Sequence, residues 1–97
     1  MPHARARDGE RIHYRREGSR GRAVVMVQGL GLSGRFWFDL PARIAALGTQ
    51  VLWPDNRGTG RSDAIRRPIT MRTLADDVAA VMDDAGIERA TLVGVSM

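Results

Sequence analysis

A chain of 97 residues with 43% hydrophobic and 27% charged side chains can build one small core, burying about 60 to 65% of the unfolded surface if it folds alone. That composition excludes a disordered chain, and the absence of cysteine excludes disulfide frameworks, thiolate metal sites and thiol redox chemistry. The net charge of +4 is local: residues 1–22 hold seven arginines against three acids, whereas residues 23–97 hold eight of each.

Only Tyr14 lies among the first arginines, so the aromatic interleaving that nucleic-acid stacking needs is missing, and a solvated edge hairpin is the expected reading. The basic first seven residues have no apolar run behind them, and the apolar run 23–27 is too short to cross a bilayer. No nucleic acid and no membrane is therefore expected as a partner, and a cytoplasmic location is expected.

In chain order, Asp8-Gly9 supplies turn chemistry before an alternating stretch, residues 10–16, that puts Ile12 and Tyr14 on one face; this predicts an antiparallel hairpin. The histidines of this region, His3 and His13, read as solvated or edge-strand side chains. After a polar, glycine-containing connection, the unbroken apolar run from Ala23 predicts a central strand covered on both faces. Residues 39–47 show helical spacing at Leu40, Ile44 and Leu47, with Pro41 in the first turn and Gly48 as the stop. A second buried strand, Gln50-Val51-Leu52-Trp53, leads into the loop 55–63.

From Thr70, a plausible N-cap residue, a core-facing stripe runs through Leu74, Val78, Val81, Met82 and Ala85 to a stop at Gly86. A third strand follows from Ala90 to Val95. Strands alternating with helices predict an α/β fold: a mostly parallel sheet with helices on both faces and an N-terminal antiparallel hairpin, in a single domain.

Two glycine-containing segments carry candidate chemistry. Gly29-Leu30-Gly31-Leu32-Ser33-Gly34 matches G-x-G-x-x-G after a strand, with Asp55 ending the next strand, as an NAD(P)-binding oxidoreductase would require. In that reading the turn holds a pyrophosphate and Asp55 takes ribose hydroxyls. Against it stand the bulky Arg35, Phe36, Trp37 and Phe38 after Gly34, where close helix packing is needed, and the hairpin that precedes the glycine strand.

The second segment is Leu92-Val93-Gly94-Val95-Ser96-Met97, a buried strand running into Gly-x-Ser-x. This is the first part of the nucleophile elbow, in which a tight turn lifts the serine hydroxyl toward substrate and leaves no room for side chains beside it. Alone, such a tripeptide more often marks a loop serine capping a helix; its place after a strand, a loop and a helix favours the nucleophile.

At this point the whole chain resembles the α/β-hydrolase superfamily, in its serine-nucleophile, esterase- or lactonase-like branch. Gln28-Gly29-Leu30-Gly31, with Ser33 and Trp37, resembles the His-Gly-x-Gly turn; the segment Asp55-Asn56-Arg57-Gly58-Thr59-Gly60-Arg61-Ser62-Asp63 resembles the Asp-x-Arg-Gly-x-Gly-x-Ser loop; and Gly94-Val95-Ser96-Met97 resembles the elbow. Gln28 departs from the usual histidine, and an amide there can hydrogen-bond across the turn.

The resemblance implies Ser96 as nucleophile, the backbone N–H groups of Leu30 and Met97 as oxyanion donors, and Gln28, Gly29, Gly31, Gly94, Asp55 and Arg57 as structural residues near the site. It implies hydrolysis of carboxylic esters, lactones or similar acyl bonds of small molecules through an acyl-enzyme, with no metal or organic cofactor. The family's catalytic acid and histidine come later in its chains, so the 97 residues are expected to be the N-terminal part of the domain, inactive alone, with an open sheet edge at Leu92, Val93 and Val95. A non-catalytic, hydrolase-like binding module is the other alternative.

Overall fold

Valine-rich residues 23–27 suit a pleated surface covered on both sides, and they form the middle of the parallel part of the sheet. A computed structural model of the chain describes residues 2–29 and 31–95. Its strands are β1 (His3–Arg5), β2 (Arg11–Glu17), β3 (Ala23–Val27), β4 (Gln50–Pro54) and β5 (Thr91–Gly94), and its helices are α1 (Leu40–Ala45) and α2 (Met71–Asp84), with a 3-10 turn at Gly34–Trp37. The sheet order is β1-β2-β4-β3-β5. Strands β4, β3 and β5 run parallel, while β1 and β2 form the expected antiparallel hairpin and β2 joins β4 antiparallel.

The chain leaves β3 to form β4 on one side, then returns to form β5 on the other. Connections that depart in opposite directions open a crevice beyond the carboxyl ends of the strands, where ligands bind in open α/β sheets.

Side chains alternate along each strand, so the sheet builds two cores. On one face Ile12, Tyr14, Val25 and Leu52 pack with Ala4, Ala6 and, from α2, Val81, joined by Val78, Met82 and the C-cap residue Ala85. On the other, Met26 and Val51 pack with Trp37, and α1 contributes Ile44 and Ala45. Each fully buried aliphatic side chain stabilises the fold by about 1.5 to 3 kcal/mol before entropy is counted.

Helix α2 starts where the sequence places it. Thr70 Oγ1 accepts the Thr73 N–H at 3.2 Å, and Thr73 Oγ1 accepts the Thr70 N–H at 3.1 Å. This reciprocal capping box satisfies two backbone donors, and losing it costs about 1 kcal/mol.

The segment 39–47 differs from its predicted form. Its helix has six residues, Leu47 is 81% exposed and Leu40 41%, and of the expected stripe only Ile44 packs inward. Phe38 adopts φ 53°, which separates the 3-10 turn from α1, and Pro41 lies in the first turn, so no continuous helical face extends across the segment. His13 is a second correction. It is neither solvated nor on an edge: β2 lies between β1 and β4, and the His13 side chain is 0% exposed.

Candidate active site at the carboxyl ends of the parallel strands

Strands β3 and β5 pair in register through Val27 and Gly94, and the Val95 N–H donates to the Val27 carbonyl at 3.3 Å. The chain therefore leaves β3 at Gln28 and β5 at Val95 side by side. The loop after β4 joins them: Asn56 Nδ2 donates to the Gln28 carbonyl at 2.8 Å and reaches the Gly29 carbonyl at 3.5 Å. Gln28, Asn56, Leu74, Gly94 and Val95 line a recess of about 160 Å³ beneath this junction.

The glycine turn is held from inside and outside. Gln28 is buried, and its Oε1 accepts the Gly29 N–H at 3.3 Å, so the residue that replaces the more usual histidine closes its own turn. Gly29 is buried and Gly31 takes φ 77°. Gly34 lies where a Cβ would come within 3.1 Å of the Trp53 and Pro54 carbonyls, so the turn packs directly on β4.

Asp55 is the hub of the loop 55–63. Its carboxylate is fully buried and accepts from the Gly34 N–H at 2.7 Å, the Arg61 N–H at 3.0 Å, His13 Nδ1 at 3.0 Å and the Arg15 guanidinium at 3.1 Å. Burial pushes this carboxyl upward, but the N–H groups of Arg61 and Gly34, with His13 and Arg15, outweigh it and hold the group below the usual carboxylate range. Burial pushes His13 below its ordinary value against the pull of Asp55. A neutral His13 must then carry its proton on Nδ1, because its partner is an ionised carboxylate.

Ser62 completes this junction. Its hydroxyl donates to the Asp55 carbonyl at 2.6 Å and accepts the His13 N–H at 2.8 Å.

Arg57 binds neither the glycine turn nor Asp55. It is 4% exposed and forms a two-sided clamp, with bonds of 2.6 and 3.0 Å to Asp8 in the hairpin turn and of 3.0 and 2.8 Å to Asp77 on α2. The Arg57 guanidinium draws Asp8 down to about 2, whereas burial pushes Asp77 upward. One guanidinium serves two carboxylates, and the more deeply buried one is the harder to ionise.

These contacts bear on the dinucleotide alternative. The oxygens of Asp55 are taken by protein donors, and Arg57 is committed to Asp8 and Asp77, so neither faces a ribose or a phosphate. Among the described residues, no group of three or more His, Asp or Glu side chains converges to hold a metal ion, and no helix is long and apolar enough to cross a membrane.

Leu30, Ser96 and Met97 lie outside the described residues. Among the described residues, a Cβ at Gly94 would meet nothing within 4 Å, and Val95 follows the carboxyl end of β5. The network also contains residues that the sequence reading did not assign: His13, Arg15, Asp8, Asp77 and Asn56. Their partners lie 20 to 49 positions away, so no local spacing announces them.

Comparison with known proteins agrees with this geometry. The non-heme chloroperoxidase of Kitasatospora aureofaciens is 34% identical over 97 residues, covering 100% of this chain and 35% of its own. The enol-lactonase of Burkholderia xenovorans superimposes with a TM-score of 0.85 at 36% identity, over 99% of this chain and 37% of its own. An esterase of Exiguobacterium antarcticum gives 0.88 at 30% identity, over 98% and 35%. The chain thus spans about a third of the length of these relatives. The model of the alpha/beta hydrolase fold matches residues 22–97, and the chain belongs to that family.

Proposed function

We propose that the protein carrying this sequence is a serine hydrolase of carboxylic esters, lactones or related acyl bonds of small molecules, with Ser96 as nucleophile. The observation that supports the reading is the Val95 N–H bond to the Val27 carbonyl, which brings the carboxyl end of β5 beside the point where the chain leaves β3. That is where a nucleophile and an oxyanion donor must meet. In this reading the backbone N–H groups of Leu30 and Met97 stabilise the oxyanion. The likeness to a lactonase and an esterase supports this substrate class.

A serine hydroxyl needs a base. His13 does not serve: its strand β2 is three strand spacings from β5, about 14 Å at about 4.8 Å each, and its Nδ1 is bound to Asp55. We therefore assign the histidine and its orienting acid to polypeptide beyond these 97 residues, which form the N-terminal part of one hydrolase domain and are inactive alone.

In the intact protein Ser96 attacks the acyl carbon, its proton passes to the histidine, and the charge on the carbonyl oxygen is met by the two N–H groups. The leaving alcohol takes the proton from the histidine. Water then attacks the acyl-enzyme, giving the carboxylic acid and restoring Ser96. Hydrolysis of a panel of p-nitrophenyl esters and lactones by the intact protein tests the proposal: Ser96→Ala abolishes turnover, and a variant with wild-type rates rules out this nucleophile.

A further inference from the structure

We propose that His3 and His13 form a two-histidine site for a divalent transition-metal ion of the zinc, nickel or copper type, backed by the Asp55 carboxylate. The site lies on the N-terminal hairpin and needs neither the nucleophile nor the oxyanion donors. Ile12 and Tyr14 of β2, with Ala4 of β1, pack on the face that α2 covers, so the alternating His3 and His13 share the opposite face.

His3 stands directly opposite His13 in the register of the hairpin. The Tyr14 N–H bonds the Pro2 carbonyl at 3.2 Å and the Ala6 N–H bonds the Glu10 carbonyl at 2.8 Å. By the alternation of an antiparallel ladder, His3 and His13 are then a closely spaced pair, with Cα atoms about 4.5 Å apart. A buried imidazole ordinarily satisfies both nitrogens. His13 satisfies one: Nδ1 donates to Asp55 at 3.0 Å, and Nε2, left with its lone pair, is buried with no hydrogen-bond partner among the described residues.

A carboxylate on the far nitrogen is what fixes the tautomer of a metal-binding histidine and raises its basicity, and the N–H groups of Gly34 and Arg61 keep this carboxylate from swinging away. The second ring is already in range. Its centre lies 5.1 Å from that of His13, with the planes at 61°. An ion bound about 2.0 to 2.1 Å from an imidazole nitrogen sits about 3.2 Å from the ring centre, so two rings on one ion have centres about 4.5 to 5.2 Å apart. His3 is exposed, so a turn of its ring opens Nε2 of His13 to solvent, and water fills the remaining positions. Two neutral imidazoles without thiolate suit zinc, nickel and copper and do not suit magnesium or calcium. With two protein ligands, and with Arg15 sharing the Asp55 carboxylate, the site is weaker than a four-ligand structural one.

The test titrates the intact, untagged protein with Zn²⁺ while proton–nitrogen correlation spectra follow the imidazole nitrogens. Zn²⁺ should shift Nε2 of His13 and one ring nitrogen of His3 together, Nδ1 of His13 should keep its proton, and a chelator should reverse both shifts. Mg²⁺ should shift neither ring. His3→Ala changes an exposed side chain outside both cores, and should weaken Zn²⁺ binding by about tenfold or more. The ion clips β1 to β2 and, through Asp55, to the loop after β4, so Zn²⁺ should raise the melting temperature of wild type and leave that of His3→Ala unchanged.

An Nε2 signal of His13 that millimolar Zn²⁺ leaves unmoved overturns the site. So does a His3→Ala variant that binds Zn²⁺ as tightly as wild type, since the ion then sits elsewhere. An equal response to Mg²⁺ overturns the assignment to imidazole ligands.

Discussion

The Asp55 carboxylate stands 3.0 Å from Nδ1 of His13, and neither side chain exposes any surface. The pair joins the loop after β4 to the N-terminal hairpin, and the Gly34 N–H on the same carboxylate brings the turn after β3 into one unit. Three segments far apart in sequence thus meet at one buried charge.

Acid sensitivity follows. His13 is held below its ordinary value in the fold, so the unfolded chain binds its proton more readily. Its contribution is complete above the unfolded value of about 6.5 and is lost as pH falls through the folded one. Asp55, also lowered, adds a second loss below about 3.9. Melting temperatures of the intact protein should decline as pH falls below about 6.5, and His13→Gln, whose amide can still donate to Asp55, should flatten that decline.

Tyr14 predicts the opposite limb. Burial first, then its 2.7 Å bond to Asp84, pushes the phenol up to about 12. The folded value exceeds the unfolded value of about 10, so this stability is complete below about pH 10 and is lost as pH rises through the folded value. Tyr14→Phe should remove the alkaline loss in a melting series, and a series identical to wild type would contradict it.

Arg57→Met leaves Asp8 and Asp77 facing each other without a cation. Breaking a buried pair in this way costs about 3 to 5 kcal/mol, measurable by urea denaturation. Arg57→Lys should recover little, because one ammonium cannot reproduce paired bonds to two carboxylates. Near-wild-type stability of Arg57→Lys would show that charge alone suffices.

Two glycines should respond differently to alanine. Gly86 takes φ 74° with open space around it, so Gly86→Ala costs about 1 to 2 kcal/mol in backbone strain. Gly60, at φ 50°, lies against the Asp55 carboxylate, and a Cβ there must displace the hub. Denaturation should show Gly60→Ala to be the more damaging of the two.

Much of the fold was legible because its signals are local. Residues 23–27 read as a doubly covered strand, and Thr70 and Gly86 bracket a helix whose stripe packs into the core through Val78, Val81, Met82 and Ala85, while Leu74 lines the recess beside Gln28. The segment 39–47 misled because Leu40 and Leu47 fit the periodicity while the positive φ of Phe38 leaves no trace in it. His13 misled for a different reason. Nothing beside it in sequence marks it as buried, and its partner Asp55 lies 42 positions away. The candidate site is read from ordered motifs, and the bond from Asn56 to the Gln28 carbonyl, which joins two of them, is one that their spacing does not announce.

The central claim, that Ser96 carries the acyl group, is tested most directly by mass spectrometry of the intact protein quenched during turnover of a slow ester. An added acyl mass should appear on the peptide containing Ser96 and be absent in Ser96→Ala. An acyl group on another residue, or turnover with no covalent adduct in wild type and undiminished in Ser96→Ala, would contradict it.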